Sequence, residues 1–222
     1  MNQRNYQKEL EKLLELFQTQ HRTPRLFLHS CCAPCSSYVL EYLAPFFEIT
    51  VFYYNPNIFG EPEYRKRVEE QKRLISIYNR ENKGHPISIL EGDYEPSCFY
   101  DAVKGLEKLG EGSERCFRCF DLRLRETVRL AKEGDFDYFG TTLTISPLKN
   151  AGKLNEIGFS LEQEFGIPWL PSDFKKKNGY KRSVELSAQY ELYRQDFCGC
   201  AFSKAEKSVL PKQENRLTNA EE

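Results

Sequence analysis

Short apolar runs alternate with longer amphipathic stretches along this chain. The runs cover residues 25–29, 48–54, 86–90, 137–142 and 167–170 and are rich in aliphatic and aromatic side chains, the pattern of strands buried on both faces. Between them, apolar positions at helical spacing predict helices over 36–43, 61–80, 98–109, 116–133, 150–165 and 180–193, with Gly and Pro clusters at the joins. Ahead of the first run, Leu10, Leu13, Leu14 and Phe17 share one face of a charged segment and predict a further helix. This alternation predicts an α/β fold: a single domain with a mostly parallel sheet of about five strands flanked by helices, Rossmann-like or its HUP-like variant. At 222 residues the chain can bury one substantial core, and no Pro-, Gly- or Ser-rich linker divides it. The domain is expected over 1–205, with 206–222 a polar, flexible tail.

In such a sheet, ligands bind beyond the carboxyl ends of the strands, and there the cysteines gather. The first run ends in His29-Ser30-Cys31-Cys32-Ala33-Pro34-Cys35, three thiols in a loop that Pro34 is expected to keep irregular. Cys116-Phe117-Arg118-Cys119 opens a helix, where the positive end of the macrodipole is expected to lower the thiol pKa and favour the thiolate. In Cys198-Gly199-Cys200 the flexible glycine permits a small, strained and labile disulfide; two further metal ligands or two inert thiols are the other readings. Cys98 stands apart and reads as packing.

Charge changes the picture little. Lys plus Arg number 32 against 33 Asp plus Glu, so the whole chain presents no electrostatic signature of a nucleic-acid partner. Local basic groups occur at Arg65, Lys66 and Arg67, at Arg115, Arg118 and Arg123, and at Lys175, Lys176, Lys177, Lys181 and Arg182. The third group includes Tyr180 and adjoins the helix leading to Cys198. No apolar run approaches the roughly 20 residues of a membrane span, and residues 1–20 mix charge with leucine unlike a signal peptide. A cytoplasmic protein with no membrane partner is expected, and there eight cysteines point to metal or redox chemistry rather than disulfides. The five thiols Cys31, Cys32, Cys35, Cys116 and Cys119 exceed the four that a tetrahedral zinc or one four-iron cluster takes, which leaves one for an additional metal ion or an open position. Two alternatives stand beside an iron–sulfur oxidoreductase. One is a structural zinc protein; the other is a nucleotide-activating tRNA-modifying enzyme, against which the lack of glycine in residues 30–35 argues.

At these residues the sequence resembles the QueH-type epoxyqueuosine reductases, a cobalamin-independent family acting in the last step of queuosine biosynthesis in tRNA. The match covers most of the chain. It includes residues 29–35, Tyr54-Asn55-Pro56-Asn57, Arg115-Cys116-Phe117-Arg118-Cys119, and residues 141–147, 173–180 and 193–200. The resemblance implies a [4Fe-4S] cluster bound by Cys31, Cys32, Cys116 and Cys119, an adjacent metal ion, expected to be iron, and a redox-active pair at Cys198 and Cys200; Cys35 is assigned to the adjacent metal, with the cluster as the alternative. It further implies tRNA carrying epoxyqueuosine as substrate, and a donor protein or other reductant as electron source. Lys175, Lys176, Lys177, Tyr180 and Arg182 are the residues expected to meet the tRNA. His29, Tyr54 and Asp121 are candidate proton sources beside these motifs.

Overall fold

The computed structural model describes residues 4–209. Strand β1 (Arg25–His29) runs through the middle of the sheet because its last four residues are apolar or internally satisfied and tolerate burial on both faces. It pairs in parallel with β2 (Glu48–Tyr53) on one side and with β4 (Tyr138–Thr141) on the other, and β3 (Ser88–Glu91) extends the sheet beyond β2. The order is β3-β2-β1-β4.

Alternate residues of the strands feed two cores. Leu26, Leu28, Ile49 and Val51 face one side, where α1 (Tyr6–Thr19), α2 (Ala33–Leu43), α3 (Glu61–Arg80) and α7 (Gly179–Gln189) bring Leu10, Leu40, Leu74 and Leu186. Phe27, Phe52 and Phe139 face the other, covered by Phe120 and Leu124 of α5 (Glu114–Glu133) and Leu154 and Leu161 of α6 (Ala151–Phe165). From β1 the chain steps outward through α2, β2, α3 and β3, then returns through α4 (Pro96–Ala102) and α5 to β4, on the opposite side of β1. The strand order therefore reverses at β1, and the segments following β1 and β4 diverge to open a crevice. Among the described residues, no helix is long and apolar enough to cross a membrane.

The sheet has four strands rather than five. Residues 167–170 meet β4 only at a single bridge between Phe139 and Trp169, with Phe139 N–H donating to Pro168 O (3.0 Å) and Leu170 N–H to Phe139 O (2.8 Å). Pro168 and Pro171 have no N–H, so the ladder cannot lengthen. Three helices also differ from expectation. The one expected over 98–109 stops at Ala102, ahead of Gly105 at φ +82°; α7 stops at Gln189, before Glu191 at φ +50°. A last helix, α8 (Ala201–Val209), runs into the segment expected to be a tail, and the buried Arg115 guanidinium holds its Glu206 at 2.8 Å. Residues 210–222 of that expected tail lie outside the described residues.

Trp169 lies flat on α6. An added Cβ at Gly158 would sit 2.2 Å from its ring, which is 2 % exposed and held by a hydrogen bond from Nε1 to Asn155 Oδ1 (3.0 Å). Gly158→Ala gains at most about 1 kcal/mol of helix propensity but overpacks the core at a cost of about 1–3 kcal/mol. A net loss of about 1 kcal/mol is expected in urea unfolding; an unchanged midpoint would show that the ring moves aside freely.

Candidate metal centre

The loop after β1 is almost immediately helical. Cys32 is the N-cap of α2 and Pro34 lies in the first turn, where its missing N–H costs nothing, so the expected irregular loop is a regular helix start. This geometry gathers three thiols. The Sγ atoms of Cys31, Cys32 and Cys35 all lie within 4.8 Å of one another, and Cys31 and Cys32 are 3.7 Å apart. Two thiolates on one tetrahedral ion at about 2.3 Å would be separated by about 3.8 Å. The donor set is soft and closely spaced, and it fits a thiophilic metal or an iron–sulfur group. Hydrogen bonds from Cys31 and Cys35 hold the Cys32 thiol well below the usual range, while the hydrogen bonds of Cys35 to Cys31 and then to Cys32, with burial, push Cys35 up.

Cys116 and Cys119 occupy the first and second turns of α5, with Gly112 N–H donating to Cys116 Sγ at 3.3 Å. The helix dipole does not decide their acidity. Burial pushes Cys119 up to about 12 and raises Cys116 as well, because desolvation of the charged form outweighs a terminal partial charge. Neither belongs to the tight group of Cys31, Cys32 and Cys35, but Cys116 packs against the same core as Cys31. Cys119 packs with Cys200, Phe99 and Val103. The half-buried Cys98 lies on α4, outside these groups.

The Cys198 to Cys200 segment is clamped between elements. Arg67 Nη1 donates to Cys198 O (3.4 Å), and Phe59 N–H to Gly199 O (2.8 Å). Gly199 has φ +126°, a conformation that favours glycine, and a Cβ there would meet Arg67 and Ile58 at 3.2 Å. Cys200 begins the turn into α8, and its Sγ accepts from Ser203 N–H at 3.4 Å.

A cavity of about 290 Å³ opens at the strand ends. Its walls include Cys31, Cys32, Cys35 and Cys198, the polar side chains of Asn55, Asn57 and Gln195, and the cations Arg123, Lys149 and Arg194. A smaller adjoining space is lined by Cys116, and Cys198, Lys149 and Glu111 border both. Cys198 is thus the thiol between the two cysteine groups.

Of the basic cluster, only Tyr180 lines the cavity, 40 % exposed at its mouth. Gly179 permits this, since a Cβ there would strike Phe174 O at 1.9 Å, and α7 could not start so close to Tyr38 of α2. Lys175 pairs with Asp173, Lys177 with Glu11, and Arg182 with Glu41 through two hydrogen bonds of 2.9 Å, so much of the cluster's charge is answered within the chain. Lys176 is exposed.

None of the three expected proton sources lines the cavity; Glu111 and Asp196 do. Asp121 faces Arg125, and burial pushes Tyr54 up to about 12. His29 ties the strand ends together. Its Nε2–H donates to Tyr54 O (3.1 Å), which leaves Nδ1 to accept from the Thr141 hydroxyl (2.9 Å) across the β1–β4 register.

Burial, aided by the charge of Arg123, lowers the His29 pKa to about 3. Unfolded histidine titrates near 6.5, so below that pH the unfolded chain takes a proton that the folded chain refuses. The stabilisation is complete above pH about 6.5 and is lost as pH falls toward 3, at about 1.4 kcal/mol per unit. Urea unfolding at pH 5.5 and 4.5 should show close to this slope and His29→Gln should reduce it by about one proton; an equal slope in both proteins would assign it elsewhere.

Arg123 and Lys149 are the principal residues that sequence reasoning undervalued. A signal for Arg123 existed: it falls on the stripe of Cys119, Phe120, Leu124 and Thr127, all buried on α5. Lys149 follows the strand-end segment by two residues and carried no comparable pattern.

A parallel α/β sheet whose switch-point crevice is walled by soft thiol donors defines a class of α/β protein whose strand-end loops can hold a metal and supply the chemistry. Comparison with known proteins gives the family. The family described as Epoxyqueuosine reductase QueH matches residues 26–206, and this chain belongs to that family. The protein named Epoxyqueuosine reductase QueH in Streptococcus pyogenes serotype M1 is 42% identical over 90% of this chain and 78% of its own length. The protein of that name in Staphylococcus epidermidis is 39% identical over 97% of this chain and 91% of its own, and that in Thermotoga maritima 34% identical over 82% and 91%. A solved structure, the U34-tRNA thiolase NcsA from Methanococcus maripaludis with its [4Fe-4S] cluster, aligns over 88% of this chain and 67% of its own at TM-score 0.47 and 14% identity, too distant to bear on fold or cofactor.

Proposed function

We propose that this chain reduces epoxyqueuosine to queuosine at the wobble position of tRNA, in the cytoplasm, using an iron–sulfur centre held by its clustered cysteines. The observation that carries the reading is the group of three thiols at the switch-point cavity of a chain belonging to the epoxyqueuosine reductase family. The reaction breaks both C–O bonds of the epoxide, consumes two electrons and two protons, forms a carbon–carbon double bond and releases water.

Cys31, Cys32, Cys116 and Cys119 would hold a [4Fe-4S] cluster, and Cys35 would bind an adjacent iron ion. When bound, such a group supplies single electrons and Lewis acidity. The chain's own residues do the rest. Tyr180 and the exposed Leu148 at the mouth offer a surface for a base to stack on, and Asn55, Asn57 and Gln195 present polar groups to the modified ring. Lys176, with its paired neighbours Lys175, Lys177 and Arg182, lies on the approach to the mouth and meets phosphates. Cys198 and Cys200 hold two electrons as a dithiol and release them on forming a disulfide.

The test is chemical. Anaerobic, reduced protein is incubated with tRNA carrying epoxyqueuosine, the RNA is digested, and the nucleosides are weighed. Loss of one oxygen is expected; unchanged epoxide with an intact metal centre and a competent donor sinks the substrate assignment. Stoichiometric zinc without sulfide, in protein never exposed to air, would instead establish a structural zinc site on the same thiols.

A further inference from the structure

Among the described residues, three arginines are almost wholly buried, and two of them are neutralised in the ordinary way. Arg67, 2 % exposed, pairs with Glu63 at 2.7 Å, and Arg115, also 2 % exposed, pairs with Glu206 at 2.8 Å. Arg123 is 1 % exposed and differs from both. Its Nε donates to Cys119 O (3.0 Å) and its Nη1 to Asn55 Oδ1 (3.3 Å), both neutral acceptors, and Nη2 has no partner. Among the described residues, no carboxylate forms an ion pair with it.

A guanidinium out of water costs several kcal/mol unless an opposite charge lies close. This one lines the cavity beside Cys31, Cys32, Cys35 and Cys198 and bonds to the backbone of Cys119. The cavity carboxylates Glu111 and Asp196 form no hydrogen bond or ion pair with it, and the groups that support its charge most are thiols from three segments that the fold brings to one place.

We propose that Arg123 is a fixed counter-charge of the thiolate centre, beside the cavity cation Lys149, and raises the reduction potential of the group that those thiolates hold. The proposal rests on the iron–sulfur reading above. Burial opposes the charge of Arg123, and Cys119, Cys198, Cys31 and Cys116 support it, in that order. The guanidinium stays protonated at every accessible pH, so its effect is constant rather than a switch. When one electron enters from a reductant, the centre becomes more negative by one unit and nothing leaves the arginine. A neighbouring positive charge stabilises that reduced state over the oxidised one. In a water-poor site the effect is weakly screened.

The competing role is mechanical, since the same side chain ties α5 to the loop after β2 and packs 5.7 Å from the Phe120 ring centroid. A purely structural arginine would move the melting temperature and leave the potential alone.

The experiment is an anaerobic spectroelectrochemical titration of the metal-loaded protein, comparing wild type with Arg123→Gln and Arg123→Lys. At the potential where half of the wild-type centre is reduced, Arg123→Gln should show at least about a tenfold lower reduced-to-oxidised ratio, a midpoint about 59 mV more negative for one electron. Arg123→Lys keeps the charge and should stay near half. Should Arg123→Gln fail to fold, Arg123→Met carries the same expectation, because an apolar side chain of similar length fills the site without a buried charge. Superimposable wild-type and Gln titrations overturn the proposal, as does a Lys variant displaced as far as the Gln one. An unchanged potential with weakened tRNA binding also overturns it and assigns the free Nη2 donor to the substrate. A wild-type protein with no iron–sulfur absorption is a different result, because it removes the iron–sulfur reading itself.

Discussion

Serine at Cys31, Cys32, Cys116 or Cys119 is expected to strip the protein of most of its iron and sulfide. Protein isolated without air should carry about four sulfide and four to five iron per chain, as one four-iron cluster with an added ion would. A serine hydroxyl is a hard donor that stays protonated near neutral pH, so it cannot replace a soft thiolate. The structure adds a contrast within the tight group. Cys35 lies within 4.8 Å of both Cys31 and Cys32, yet it is assigned to the adjacent ion. Cys35→Ser should therefore retain the sulfide and lose about one iron. Equal loss of sulfide in Cys35→Ser and Cys31→Ser would make Cys35 a cluster ligand and displace one of the α5 cysteines. Metal and acid-labile sulfide analysis, with the visible spectrum, reads all of these outcomes.

The second large effect is expected at Cys198 and Cys200, where serine at either position should leave the cluster spectrum nearly intact and reduce turnover on the order of 10²-fold. The expectation rests on the segment's geometry: Gly199 turns the chain back at φ +126°, and Arg67 and Phe59 hold the carbonyls of Cys198 and Gly199. Cys198 also borders both cavities, where electrons and substrate would meet. Thiol counting under mild oxidant should find two fewer reactive thiols in wild type and no such paired loss in either variant. If iron falls in proportion with loss of either thiol, the pair is a ligand set and its redox assignment is wrong.

Most of the scaffold could be read from local pattern. The helix expected over 61–80 is α3 at Glu61–Arg80, because Gly60 and Pro62 mark its start and the apolar repeat is unbroken. The strand runs 25–29 and 48–54 are β1 and β2 to within a residue, since a central parallel strand must be continuously apolar. Local pattern misled where a prolyl nitrogen or a distant partner decided the outcome. Residues 167–170 have the composition of a strand but only a single bridge, and α8 persists into a polar segment because buried Arg115 reaches Glu206.

The sequence by itself determined which residue types stand at the ends of the strands and on which side of each element they lie. Periodicity is a property of neighbouring residues, and it needs no knowledge of the rest of the chain. It also supplied the cysteines, the tRNA-modifying family resemblance and the basic cluster. Only the tertiary structure decided which of these meet. Strand order put the loop after β1 beside the one after β4, and α2 drew Cys35 onto Cys31 and Cys32. Folding also set Lys177 against Glu11 and Arg182 against Glu41, while leaving the buried Arg123 without a carboxylate partner among the described residues. Such pairings join residues far apart in the chain, and their partners are set by how whole layers pack rather than by any local repeat.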